Sequence, residues 1–443
     1  MKIIIGGAGE VGTHLSKLLS AENQDIILMD ANEENLNFPN NFEIMTVVGN
    51  PTSIQDLKQA GIGAADMFIG VTPEESINMT ACMLAHNLGA KKTVARVSNE
   101  EYLLPKNMEF FTQLGVDSII CPEILAANEI VNAIHTPWTR QWWEIAGGLI
   151  LLGIKVREHA PIVRKYLYDL NKEEKIFHLV AIKRDNYTII PGGSDQILAE
   201  DLLYITTTKE HIQDVKIITG KEDIEIHKIT VMGAGRIALK VCERIPRHIQ
   251  IKLLEINKEK SYRIAEKVDS NVLVVNGDGR NTDLLIQENI KNCSAFIALT
   301  GNSETNILAC VAAKSLGVPK TIAEVENLDY IQMAEKLNIG NIINKKLIAS
   351  SHIYQFLLDA DVSTVKCLAF ANADVAELIA RPGSKITKKP VKDLHLPKDM
   401  TLGGKICDGH AEMINGNTII QPGDHVVVFC LDTAMRKIED YFN

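Results

Sequence analysis

Gly7, Gly9 and Gly12 stand between a run of three isoleucines and an apolar-periodic stretch carrying Val11, Leu15, Leu18 and Leu19. Strand, Gly-rich turn and helix in that order let a backbone approach a pyrophosphate closely and turn unpaired N–H groups toward it. A second strand-like run, Ile26 to Asp30, ends in a carboxylate that can accept hydrogen bonds from ribose hydroxyls. The glycine spacing by itself is a weak signal, since such turns are common. Here it recurs: Gly233, Gly235 and Ala238 follow another strand-like run, and Glu255 closes the next one.

The two turns lie 226 residues apart, and the likeness extends well beyond them. Asn50 matches Asp278, Val71–Asn78 matches Leu299–Asn306, and Ala95–Tyr102 matches Ala323–Tyr330, each 228 residues on. A nearly constant offset over so long a stretch means two homologous units.

Residues that end strands face the crevice of a doubly wound sheet. Arg96 ends the fifth strand-like run of the first unit, where its guanidinium can meet a phosphate or form a structural salt bridge with an acid. Thr72 ends the fourth, with a hydroxyl suited to a nucleotide or to a helix N-cap. Asn50 suits adenine or the start of the next helix. The units differ in charge: Glu324 replaces Arg96, and Arg236 replaces Glu10. Positive charge for a phosphate in the second unit would have to come from Arg236 or Arg280. Asp30 without a neighbouring arginine favours NAD over NADP. No committed acid, base or nucleophile set accompanies either crevice, which favours ligand sensing over an NAD-dependent oxidoreductase.

These residues need a scaffold. At 443 residues, with 46% hydrophobic and 23% charged side chains, the chain has material for several globular cores. Six strand-like runs alternating with helices over residues 1–135 predict a doubly wound parallel sheet, closed by the helix Pro122–His135. Residues 136–225 switch to β-type runs with turns at Arg184-Asp185-Asn186 and Pro191-Gly192-Gly193, a small α+β domain. Residues 226–358 repeat the first pattern, and 359–443 echo the second. The trailing domains suit dimerisation or spacing, with a small-ligand site at their interface as the other reading.

The net charge of −10 argues against a nucleic-acid partner. Eight cysteines without C-x-x-C and twelve histidines without ligand spacing predict core thiols and no structural metal. No apolar run has the length of a membrane span, and the opening MKIIIGG reads as a strand, which predicts a cytoplasmic chain.

The sequence resembles the TrkA family, the cytosolic regulatory subunits of Trk-type potassium uptake systems, built from two tandem RCK (KTN) modules. The resemblance covers essentially the whole chain. It rests on GGAGEVG with Asp30, on Gly49–Thr72 with Asn78, on ARVSNEEY, on Cys121-Pro122-Glu123 and on the two trailing domains. It implies two Rossmann-like domains, each followed by a small RCK C-terminal domain. It also implies a non-enzymatic oligomer on the inner membrane face that binds NAD(H) or ATP/ADP and gates a membrane-embedded potassium-conducting subunit. RCK modules also serve other cation transporters and antiporters, which leaves a different transporter partner open. Carried over by position, the first pocket comprises Gly7, Ala8, Gly9, Glu10, Val11, Gly12, Asp30, Asn50, Thr72, Pro73 and Arg96. The second comprises Gly233, Ala234, Gly235, Arg236, Ile237, Glu255, Asp278, Thr300 and Glu324. Departures from the family pattern are Asn50, Ala238 and Asn344-Lys345 in place of Pro122-Glu123, and they leave the second pocket's ligand open, a purely structural pocket included.

Overall fold

The computed structural model describes residues 1–21, 24–37, 44–170, 176–185, 187–357, 362–368, 373–407, 409–431 and 435–442. Its first sheet comprises β1 (Lys2–Gly6), β2 (Asp25–Asp30), β3 (Ile44–Val48), β4 (Met67–Gly70), β5 (Lys92–Arg96) and β6 (Ser118–Ile120). All pairs are parallel, in the order β3-β2-β1-β4-β5-β6. Ile3, Ile4 and Ile5 of the central strand are fully buried. Burial on both faces is why that strand reads as a continuous apolar run rather than an alternating one. Between these strands run α1 (Glu10–Ala21), α2 (Ile54–Gln59), α3 (Glu75–Asn87) and α4 (Pro105–Gln113), and α5 (Pro122–His135) follows β6. The Leu18 side chain, expected on the buried face of α1, lies outside the described residues.

The next segment is antiparallel: β7 (Gln141–Glu144), β8 (Leu149–Lys155), β9 (Phe177–Arg184), β10 (Tyr187–Ile189) and β11 (Leu202–Thr208), ordered β10-β9-β11-β8-β7. Helices α6 (Leu167–Leu170) and α7 (Ile212–Ile218) accompany it. Strand β7 went unread in the sequence because its adjacent Trp142 and Trp143 break the alternation. At the expected turn Asp185 adopts φ 51°, in the left-handed region, and Asn186 lies outside the described residues.

The six-strand order then returns as β12 (Lys228–Met232), β13 (Gln250–Glu255), β14 (Val272–Asn276), β15 (Ala295–Ala298), β16 (Lys320–Glu324) and β17 (Asn341–Ile343), arranged β14-β13-β12-β15-β16-β17. Its helices are α8 (Arg236–Arg244), α9 (Lys258–Ala265), α10 (Thr282–Gln287), α11 (Ser303–Ser315), α12 (Asp329–Lys336) and α13 (Lys345–Leu357). A last antiparallel sheet, ordered β18-β19-β22-β20-β21, is built from β18 (Val362–Leu368), β19 (Ala373–Ile379), β20 (Met400–Cys407), β21 (His410–Glu412) and β22 (His425–Leu431), with α14 (Met435–Phe442) behind it. The boundary expected near residues 358–361 lies outside the described residues. The architecture is two Rossmann-like parallel sheets, each followed by a small antiparallel domain. In both small domains a buried aspartate precedes the last long strand and is paired: Asp201 with Arg184 at 2.8 Å, Asp424 with Lys405 at 3.1 Å.

By its contacts the chain divides into two compact units, Met1–Ala126 with Lys345–Leu357, and Ala127–Asn344 with Leu358–Asn443. The closing helix α13 of the second sheet therefore belongs with the first sheet, where it packs against α1. Inside the second unit, the first small domain is tied to the second parallel sheet by buried Lys320. Its ammonium donates to Pro137 O at 2.9 Å, Thr139 O at 3.0 Å and Asn341 Oδ1 at 2.9 Å, while Asn341 Nδ2 donates to Arg140 O. Three acceptors match three donors, which is the condition for burying a lysine. The two small domains also meet within this unit, through Thr206 Oγ1 donating to Gly403 O at 2.6 Å and His178 beside Thr401.

Cys82, Cys121, Cys242, Cys293, Cys310 and Cys430 are buried, Cys407 is half-buried, and burial pushes Cys242 and Cys310 up to about 12. Among the described residues no cluster of three or more His, Cys, Asp or Glu side chains forms, and no helix is long and apolar enough to cross a membrane.

On α1, burial, then the charges of Lys346 and Lys17, lower His14 from 6.5 to about 4. An unfolded histidine takes its proton near pH 6.5, so stability is complete above that value and declines as pH falls toward 4. Thermal melts of His14→Gln between those two pH values are expected to show a smaller acid-side loss than the wild type. Equal losses would show that His14 does not contribute.

Candidate functional site

Strand order reverses between β1 and β4, and again between β12 and β15, so adjacent loops diverge there and leave a crevice beyond the carboxyl ends of the strands. The sequence-predicted residues of the first unit sit on that rim. Gly7, Ala8 and Gly9 join β1 to α1, Glu10 to Gly12 form the first turn of α1, and Asp30 and Arg96 end β2 and β5. Asn50 and Thr72-Pro73 lie just past β3 and β4.

Each glycine has its own physical reason. Gly7 has φ +113°, and a Cβ there would lie 2.8 Å from Thr72 N. A Cβ on Gly12 would fall 1.8 Å from Gly7 O, so this position holds the helix against the turn. Around Gly9 a Cβ meets nothing within 4 Å, which leaves open space over the turn. In the second copy Gly233 repeats the constraint, with φ +93° and a Cβ 2.8 Å from Leu299 O, whereas Ala238 carries its methyl fully buried.

The acidic strand ends are anchored to the turn. Ala8 N donates to Asp30 Oδ2 at 2.7 Å, and Asp30 Oδ1 accepts from Asn32 N and Asn35 Nδ2. Ala234 N donates to Glu255 Oε2 at 3.2 Å in the same way. Glu255 differs in having the Lys260 ammonium 2.7 Å away. Burial alone would raise its carboxyl, but Lys260 and the N–H groups of Asn257 and Ala234 hold it below the usual range. Lys260 went unread in the sequence because its only signal is position, five residues beyond Glu255 on the next helix.

At the other side of each crevice the two units share one arrangement. Asn78 Oδ1 accepts from Thr72 N at 2.8 Å and lies 2.8 Å from Thr72 Oγ1, while its Nδ2 donates to Thr72 O and Arg96 O. Asn306 does the same with Thr300 and Glu324 O. The Thr72 hydroxyl is thus engaged in the rim, and the N-cap position of α3 falls to Glu74. Asn50 accepts from Thr52 N, and Ser53 caps α2. Arg96 Nη2 lies 3.6 Å from Glu123 Oε1, with both side chains largely buried.

The second crevice is an open cavity of ≈ 360 Å³. It gathers Gly233, Ala234, Gly235, Glu255, Asp278 and Thr300 from the expected set together with Arg280, one of the two cations considered for it, and adds Lys260 and Thr305. Ile237 is buried in the core, Glu324 is buried too, and neither they nor Arg236 line it. Arg280 grips Asp278 through Nε and Nη2, at 3.0 and 2.7 Å. The strand registers align Ile120 with Ile343, so Cys121-Pro122-Glu123 corresponds to Asn344-Lys345-Lys346, one residue from the correspondence read in the sequence.

With turn, acid and rim repeated in both units, the match to known domains is decisive: the TrkA-N domain covers residues 3–122 and 229–345, and the TrkA-C domain covers 151–218 and 375–443. The chain belongs to the TrkA family. A similar TrkA family member is the Trk system potassium uptake protein TrkA of Halomonas elongata, 30% identical over 448 residues, 99% of this chain and 97% of that one. The GsuK RCK domain superposes with TM-score 0.62 at 16% identity, over 100% of this chain and 94% of that one. The GsuK channel bound to NAD gives 0.61 at 16%, over 100% of this chain and 78% of that one. At such identity these two structures establish a shared fold.

Gly12→Ala is expected to destabilise the chain by about 2 kcal/mol or more, because its methyl meets a backbone oxygen. Gly9→Ala should stay within about 0.5 kcal/mol. Urea unfolding compares them, and equal effects would contradict the assigned roles.

Proposed function

We propose that this chain is a nucleotide-sensing regulatory subunit of a Trk-type potassium uptake system. It binds NAD(H) or ATP/ADP at Gly7–Gly12 and Asp30, and the bound nucleotide sets the state of a membrane-embedded potassium-conducting subunit. The chain works as a homo-oligomer on the inner face of the membrane. The observation that carries this reading is the duplicated crevice, with a glycine turn open at Gly9 and a carboxylate fixed beside it. In support, a relative of full length is named a Trk system potassium uptake protein, and a structure of the same fold is a channel bound to NAD.

Several rim side chains of the first crevice hold the backbone. Thr72, Asn78 and Asp30 all hydrogen-bond to main-chain groups. Such a site suits recognition without bond making. A ligand moves a conformational equilibrium only by its difference in affinity between the two states, so gating requires that the crevice change shape between them. The second crevice, its glutamate neutralised by Lys260, takes its ligand more weakly or takes a different one.

Calorimetry of the full chain with NAD⁺, NADH, ADP and ATP tests the reading, together with potassium uptake in cells. Asp30→Ala combined with Arg96→Ala should weaken binding roughly tenfold or more, by removing the ribose acceptor and a crevice charge. Uptake should lose its nucleotide response. Absence of binding by all four nucleotides, or a double variant with unchanged binding and uptake, would overturn the proposal.

A further inference from the structure

We infer that Lys346, carried by the helix that follows the second parallel sheet, is the phosphate-facing cation of the first crevice. This rests on the reading of that crevice as an adenine-nucleotide site and adds the residue that meets the phosphates. Helix α13 packs on α1 within the first unit, and Lys346 is its second residue. The Lys346 ammonium lies 3.3 Å from Glu10 Oε2, with the lysine side chain 13% exposed and the glutamate 70%. Among the described residues, Glu10 is its one ion-pair partner.

A nearly buried ammonium has three donors to satisfy, and one outlying carboxylate offsets little of its desolvation. Glu10, being exposed, is a weak partner in water. It is also the first residue of α1, the end at which free N–H groups and the helix dipole favour an anion. A phosphate seated there competes with Glu10 for Lys346, and Glu10 can turn into solvent at small cost. His14, close to Lys346, is neutral near pH 7 and adds no charge of its own.

The need for a delivered cation follows from comparing the halves. The second crevice has Lys260 and Arg280 in its own lining, whereas the glycine turn of the first carries Glu10. At the start of the closing helix the signs are again opposite, with Glu123 in the first half and Lys346 in the second. Arg96, a cation at the end of β5, already faces Glu123. The first crevice therefore receives its phosphate charge from the far half of the sequence, and occupancy by a nucleotide reports on the seating of α13.

Calorimetry on the full chain tests this with ADP and with adenosine, which lacks phosphate. The first-site signal is taken as the difference from an Asp30→Ala chain. Lys346→Gln should lower ADP affinity roughly tenfold and leave adenosine unchanged. Lys346→Arg should retain ADP binding, and Glu10→Gln should tighten it by freeing the lysine. Unchanged ADP affinity in both Lys346→Gln and Glu10→Gln would overturn the inference. Equal losses for ADP and adenosine would also overturn it, by showing an effect on folding rather than on phosphate. If Lys346→Gln does not fold, Glu10→Gln decides alone, and unaltered ADP affinity there counts against the inference. A wild-type chain that binds neither compound would sink the crevice reading itself, a result distinct from the others.

Discussion

One buried carboxamide in each half holds the crevice rim together. Where β4 and β5 end, four polar groups, Thr72 N, Oγ1 and O and Arg96 O, converge on the side chain of Asn78. Asn306 meets the same four groups at Thr300 and Glu324. An amide is the one side chain that offers two donors and an acceptor with two lone pairs in a plane, and unmet backbone groups at this depth would cost roughly 1–3 kcal/mol each. This fixes the loop after β4 against the Gly-rich turn, close enough that Gly7 and Gly233 cannot carry a Cβ. The position of everything else on the rim depends on it.

On that shared frame the halves diverge electrostatically. The first keeps its carboxylate Asp30 in contact with main-chain and amide N–H groups. The second binds Glu255 to a lysine and Asp278 to an arginine, and lets both turns of the chain satisfy charge locally. A neighbouring substitution shows how the frame survives such drift: Glu75 accepts from Ser98 N and Asn99 N, and Ser303 accepts from Glu326 N and Asn327 N at the matching place. Backbone geometry is conserved between the copies while the side chains that hold it, and the charges that reach the crevice, are exchanged.

Much of this was legible in the sequence. Both parallel sheets announce themselves because strands buried on two faces must be continuously apolar, and because the Gly-rich turn and the phrases after it recur at a nearly constant offset. The acids at positions 30 and 255 could be placed because they close strands. What was hidden depends on tertiary partners. Lys260 and Lys346 look like ordinary helical lysines, and nothing in the periodicity of Lys345–Leu357 says which sheet it covers. Asn78 was visible as part of a repeated phrase, but its four hydrogen bonds exist only once two strand ends meet. Arg96 was read as either a phosphate ligand or half of a salt bridge, and the fold places Glu123 beside it.

The placement of Lys345–Leu357 with the amino-terminal sheet has a bearing on how such a chain arose and what it can become. A polypeptide cut at Asn344 would hold both parallel sheets yet lack the segment that shields one side of the earliest helix. Once the later half had come to supply that segment, the earlier half could not be encoded alone without losing it. Fusion of the two copies thus acts as an evolutionary ratchet, after which divergence of one pocket is tolerated because the scaffold retains both.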